Sequence, residues 1–155
     1  MTRILGLDDD TDMLELLRLV LESAGYDFIG TTDGYEALTI LRTQAIDLFI
    51  QDFMRPGLHG WTVLRRMKSE ASLRHIPVLA VSAGPRDVRA EQLKHFDLDI
   101  DRDLEGYIQK PYGLLELLAT VEAILRRYAK PIPPEAQEIR ARGSLDLSST
   151  VDGRR

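Results

Sequence analysis

With 155 residues, 44% hydrophobic and 29% charged, and only 7 Pro and 11 Gly, the chain has about one domain's length and an ordinary globular composition. Collagenous, low-complexity and wholly disordered classes are excluded, and the absence of cysteine removes disulfide scaffolds, thiolate metal sites and cysteine nucleophiles together. A net charge of -5 argues against a general basic field for nucleic acid, and no 18-residue apolar run or signal-peptide pattern follows Met1-Thr2-Arg3, so a cytoplasmic protein is expected.

Five short apolar runs alternate with helical patterns from residue 3 to about residue 128, the rhythm of βα units around a parallel sheet. The first run, Ile4-Leu5-Gly6-Leu7, ends in Asp8-Asp9-Asp10. A helix follows, with Met13, Leu16, Leu17, Val20, Leu21 and Ala24 at three-and-four spacing; Asp12 and Glu15 read as its capping pair and Gly25 as its stop. After the second run, Asp27-Phe28-Ile29-Gly30, a helix opens at Asp33-Gly34 with Glu36 three residues on and Ala37, Leu38 and Leu41 on one face. The third run, Leu48-Phe49-Ile50, leads to Asp52, and the helix after Gly60 aligns Trp61, Leu64 and Met67.

The fourth run, Val78-Leu79-Ala80-Val81, ends in Ser82-Ala83; residues 86–96 then give a weaker helix through Val88, Leu93 and Phe96. The acidic stretch from Asp97 to Glu105 reads as a solvated loop. Its Asp spacing invites an EF-hand comparison that fails, because Arg102 stands where that loop needs Gly and Ile108 where it needs Glu. The fifth run, Tyr107-Ile108, ends in Lys110-Pro111, and Leu114, Leu117, Leu118, Val121, Ile124 and Leu125 form the stripe of the last helix. The domain is therefore drawn as residues 1–128. Residues 129–155, with Pro131, Pro133 and Pro134 and few large aliphatics, read as a flexible tail in which a short helix around Glu135–Arg142 is allowed for.

In an open parallel sheet ligands bind beyond the carboxyl ends of the strands. Those ends carry Asp8, Asp9, Asp10, Asp52, Ser82 and Lys110. Carboxylates about 5 Å apart at an effective dielectric of about 20 repel by roughly 3 kcal/mol per pair, a cost that a shared hard cation relieves. Oxygen ligands alone point to Mg²⁺, and so to phosphoryl chemistry. In that chemistry Asp52 supplies a nucleophilic carboxylate, Lys110 a neutralising charge and Ser82 a hydrogen bond.

The segments Ile4–Asp10, Asp47–Gly60, Ile76–Ala83 and Tyr107–Tyr112 together resemble the receiver domain of bacterial two-component response regulators, in the stand-alone, chemotaxis-regulator-like form, over essentially residues 3–128. The resemblance implies a flavodoxin-like, doubly wound α/β fold: a five-stranded parallel sheet in order 2-1-3-4-5 with five helices. It further implies Asp52 as phosphoacceptor and a Mg²⁺ site of Asp8, Asp9, Asp52 and the main-chain carbonyl of Met54, Asp9 binding directly and Asp8 chiefly through water. Ser82 and Lys110 match the residues that grip the phosphoryl group, Tyr107 the aromatic switch position, and the bond before Pro111 one that the family usually holds cis.

The implied function is a single-domain regulator that takes a phosphoryl group from a sensor histidine kinase or phosphotransfer protein and signals to a protein partner through the face of the last helices and strand. It is a phosphoacceptor in a phosphorelay and not a turnover enzyme. Mg²⁺-dependent self-phosphorylation from small donors is expected; so is slow self-dephosphorylation, because Met54 and Gly84 cannot orient a water by a strong hydrogen bond. Direct nucleic-acid and membrane partners are not expected, and homodimerisation on phosphorylation is left open.

Arg55 and His59 depart from the family pattern and read as solvated loop residues, while His59, His75 and His95 show no metal-ligand spacing. The rival readings are a haloacid-dehalogenase-type Mg²⁺-dependent phosphatase and a phosphorylation-independent scaffold. The first wants Thr or Val where Asp12 follows Asp8-x-Asp10, and the second leaves a complete set of phosphoryl-transfer residues unused.

Overall fold

The five apolar runs become strands β1 (Arg3–Leu7), β2 (Asp27–Thr31), β3 (Leu48–Asp52), β4 (Val78–Ser82) and β5 (Gly106–Gln109). All neighbours pair in parallel, in the order β2-β1-β3-β4-β5. This is the flavodoxin-like order that the family resemblance implies. The computed structural model describes residues 1–53 and 60–152, with 144–152 as backbone alone. Met54, Arg55 and His59, for which the sequence suggests roles or solvated positions, lie outside the described residues.

Alternation along the strands makes two cores, one on each face of the sheet. Leu5, Leu7, Phe49, Val78 and Ala80 face helices α2 (Gly34–Thr43), α3 (Gly60–Ser69), α4 (Arg86–Lys94) and α5 (Ile100–Asp103), through residues such as Leu38, Leu41, Leu64, Met67, Leu93 and Ile100. Ile4, Leu48, Ile50, Leu79, Val81 and Ile108 face α1 (Thr11–Ser23) and α6 (Leu114–Arg127) through Leu17, Leu21, Leu117, Val121 and Ile124. The central strands β3 and β4 are buried along their whole length, as expected where helices cover both faces of a parallel sheet.

Local signals explain most of the boundaries, with several corrections. The cap of α1 is Asp10 rather than the expected pair Asp12 and Glu15: a cap must be extended, as Asp10 is at φ -90 and ψ 109, and its side chain accepts from the amides of Asp12 and Met13. Asp33 caps α2 as expected, accepting from the amide of Tyr35. Gly25, at φ +89, takes the left-handed turn that releases the chain from α1 into β2. On α4 the inward face is not the expected Val88 stripe; Val88 is exposed, and Arg89 is buried beside Leu93. Leu114, at the start of the α6 stripe, is likewise exposed.

A further correction concerns the acidic stretch. It is not a solvated loop: Leu98, Ile100 and Leu104 are buried, Asp99 caps the short helix α5, and the buried Asp103 pairs with Arg102 at 2.8 Å. Apolar residues spaced between the acids anchor the segment, so the acids serve as cap and ion-pair partner. Another concerns the helix count, which is seven among the described residues rather than five. Besides α5, a helix α7 (Pro134–Asp152) occupies the segment that reads as a tail. Its first turns lie on α6: Ala136 is buried, Ile139 and, just before the helix, Ile132 pack against the core, and Arg140 pairs with the buried Glu122 at 3.2 Å. A narrow apolar stripe and one ion pair dock it, although its composition is too polar for a second core.

Candidate functional site

Register alone brings four chemically active residues into one row. Leu7 pairs with Gln51, which sets Asp8 beside Asp52; Asp52 pairs with Val81, so Ser82 stands one step beyond; and Ser82 pairs with Gln109, which puts Lys110 at the end of β5. The amide of Lys110 donates to the Ser82 carbonyl at 2.7 Å, closing that edge of the rim. The Lys110–Pro111 peptide bond is cis, as the family resemblance implies.

Asp8, Asp9 and Asp52 bring carboxylate oxygens within 4.8 Å of one another. Asp8 and Asp52 are buried, and Asp9 is exposed at the mouth. The amide of Asp10 donates to Asp8 at 2.9 Å, while the Asp10 carboxylate turns away to cap α1 and takes no part in the cluster. That division of labour does not suit the dehalogenase-type reading, which needs Asp8 and Asp10 to act together. Three hard oxygen donors in this space fit a divalent cation, whose charge would offset their repulsion.

A lysine supplies part of that offset. Lys110 Nζ donates to Asp8 at 3.0 Å and stands 3.4 Å from Asp52. Burial by itself would lower its pKa, but the hydrogen bond it donates to Asp8 and the charges of both carboxylates outweigh this and hold it above the ordinary lysine value. Beside it, the Tyr112 hydroxyl is buried with no hydrogen-bond partner among the described residues. Burial pushes that phenol up, Lys110 opposes the shift, and the charges of Asp8 and Asp52 add to it.

Ser82 is wholly buried, and its hydroxyl oxygen accepts from Nε of Arg89 at 3.1 Å. Tyr107 is half-buried, with its hydroxyl donating to the carbonyl of Gly84. Sequence reasoning thus places Asp8, Asp9, Asp52, Ser82 and Lys110 at the strand ends, where the structure also finds them, while Tyr107 lies inside β5. It overlooks Arg89 and Tyr112. The available signal for Arg89 is its spacing: it lies four residues before Leu93 on a helix too poor in apolar residues to fill its inward face. His75 and His95 are exposed, as expected for histidines without a site.

The chain matches the family model described as "Response regulator receiver domain" over residues 4–122. It is 34% identical to "Response regulator GtcR" of Aneurinibacillus migulanus over 97% of this chain and 56% of that protein. It is 34% identical to the "DNA-binding dual master transcriptional regulator RpaA" of Synechocystis over 95% of this chain and 59% of that one. The chain thus spans somewhat over half the length of the curated relatives it matches. Among solved structures, the receiver domain of Francisella response regulator 1452 superposes with a TM-score of 0.71 at 24% identity, covering 83% of this chain and 99% of that one. The chemotaxis protein CheY4 of Vibrio cholerae superposes with a TM-score of 0.70 at 22% identity, covering 80% and 98% respectively, which speaks for the fold. No helix among the described residues is long and apolar enough to cross a membrane.

Proposed function

From the premise that this chain belongs to the response regulator receiver domain family, the signalling modules of two-component systems, we propose that Asp52 accepts a phosphoryl group from the phosphohistidine of a sensor histidine kinase or phosphotransfer protein. The observation that carries this reading is one ammonium shared by two buried carboxylates at the strand ends, Lys110 with Asp8 and Asp52.

An oxygen of Asp52 attacks phosphorus, the P–O bond forms as the P–N bond breaks, and the departing imidazole keeps the electron pair. Lys110 balances charge that gathers on the transferred oxygens, and it needs only to turn from Asp8 and Asp52 to do so. Ser82 donates its hydroxyl hydrogen to one phosphoryl oxygen. Asp8, Asp9 and Asp52 would hold Mg²⁺, which when bound supplies charge neutralisation at the phosphoryl oxygens. Tyr107 follows Ser82, exchanging its bond to the Gly84 carbonyl for an inward position. The surface of α4, β5 and α6 then changes shape for a protein partner.

Gly84 has no side chain with which to orient a hydrolytic water, so self-dephosphorylation is slow. Its rate, followed after the donor is removed, would rule this out if the adduct vanished as quickly as in receivers with polar residues at that position and at Met54. The main test is incubation with Mg²⁺ and acetyl phosphate beside the variant Asp52→Asn. One acid-stable, base-labile phosphoryl group per wild-type chain and none in the variant is the expected result; label retained by Asp52→Asn, or turnover of many equivalents, refutes the reading.

A further inference from the structure

The mechanism proposed above leaves one buried cation without a role. Arg89 is 7% exposed, and its side chain runs back from α4 to the carboxyl end of β4. There Nε donates to Ser82 Oγ at 3.1 Å and Nη1 to Gln92 Oε1 at 2.5 Å. The other buried charged side chains among the described residues all have ionic partners: Asp8 and Asp52 share Lys110, Asp103 holds Arg102, and Glu122 holds Arg126 and Arg140. Arg89 has only neutral acceptors among the described residues. A buried charge without a counter-charge is costly, so its retention beside Ser82 calls for an anion that the described residues do not pair with it at rest.

Two details aim the group. A Cβ on Gly84 would meet Nη2 of Arg89 at 2.5 Å and Cζ at 2.8 Å, so the guanidinium occupies the space of the side chain that Gly84 lacks. Because a guanidinium only donates, the Ser82 oxygen must spend a lone pair on it. The Ser82 proton is thereby turned away from Arg89, and among the described residues it has no acceptor.

We propose that Arg89 is a positioning residue of the phosphoryl site: it orients the Ser82 hydroxyl toward the phosphoryl group, and its own charge is balanced only once that group is in place. The proposal rests on the reading of Asp52 as phosphoacceptor. Phosphorylation turns a monoanionic carboxylate into a group carrying about 1.5 to 2 negative charges, which supplies the missing counter-charge one hydroxyl away from Arg89. A receiver built this way carries an uncompensated cation at rest and a compensated one when phosphorylated. Part of the energy that retains the phosphoryl group is relief of that imbalance.

The test compares wild type, Arg89→Met, Arg89→Lys and Gly84→Ala in the full chain. The readouts are thermal midpoint with and without beryllofluoride and Mg²⁺, ¹⁹F spectrum of the bound beryllofluoride, and rate of phosphoryl uptake from acetyl phosphate. Arg89→Met is expected to leave the resting midpoint unchanged or raised, since an apolar chain replaces an unpaired charge. It is also expected to shrink the gain from beryllofluoride, shift the fluorine resonance nearest Ser82, and slow uptake about tenfold, the scale of one charge-assisted hydrogen bond. Arg89→Lys restores part of the gain, and Gly84→Ala, which displaces the guanidinium without removing it, reproduces the loss.

Wild-type uptake, spectrum and gain in Arg89→Met would overturn the proposal, as would a lowered resting midpoint with unchanged uptake, the mark of a purely structural side chain. If Arg89→Met does not fold, Gly84→Ala decides by the same readouts. A wild-type chain that forms no adduct overturns the Asp52 reading instead, so the two failures are told apart.

Discussion

The ammonium of Lys110 donates to the carboxylate of Asp8 across 3.0 Å, joining residues 102 positions apart in the chain. The same ammonium serves Asp52 at 3.4 Å, so two buried carboxylates that repel one another share it. Asp52→Asn should therefore raise the stability of the metal-free protein by about 1 kcal/mol, read as a higher urea midpoint. Mg²⁺ at ten times its dissociation constant should add about 1.4 kcal/mol to the wild type and little to the variant. A variant that is less stable without metal, or equally stabilised by Mg²⁺, contradicts a shared site.

Asp10 lies one residue from this cluster and does a different job. Asp10→Ala removes the cap of α1 and should cost about 1 kcal/mol of stability while leaving Mg²⁺ affinity and phosphoryl uptake near wild type. Asp9→Ala should do the reverse, because Asp9 is exposed and belongs to the cluster. Titration of both variants with Mg²⁺ separates the roles, and a large loss of affinity in Asp10→Ala would place it in the site after all.

Tyr26 is buried with no hydrogen-bond partner for its hydroxyl among the described residues, and burial, aided by Glu122 and opposed by Arg126, pushes its pKa up to about 12. A phenol whose folded pKa is raised stays neutral in the folded protein while the unfolded chain ionises near pH 10. Its contribution is thus intact below pH 10 and falls away as pH rises toward 12. The loss is of order 2 kcal/mol. Tyr26→Phe should be neutral to stabilising at pH 7 and should flatten the decline between pH 10 and 12. Parallel urea curves for both proteins across that range would argue against it.

The docking of α7 can be tested by ending the chain after Lys130. The cut uncovers apolar surface of α6 around Leu118 and takes Arg140 from the buried Glu122, which keeps Arg126. Loss of about 2 kcal/mol is expected, mostly from apolar burial, because ion pairs formed by an exposed arginine contribute little. Arg140→Ala alone should stay within about 1 kcal/mol of wild type. Identical urea midpoints for the full and shortened chains would mean that α7 contributes nothing to the fold.

Most of the architecture is legible in the chain because strand ends and helix stripes are local patterns. Alternating runs announce five strands, and Asp8, Asp9, Asp52, Ser82 and Lys110 each stand at the end of one, where a parallel sheet collects its chemistry. Composition rules out cysteine chemistry, and the motif residues are the ones on which the proposed phosphoryl transfer rests. Tertiary structure alone decides which charges meet. Asp10 and Asp8 are alike in sequence, yet an extended backbone sends one to cap α1 and burial commits the other to Lys110. Arg89 reads as an ordinary helix-surface arginine until the packing of α4 on β4 drives it inward over a glycine and onto Ser82. Burial, desolvation and pairing depend on residues far apart in the chain, and those distances exist only in the folded molecule.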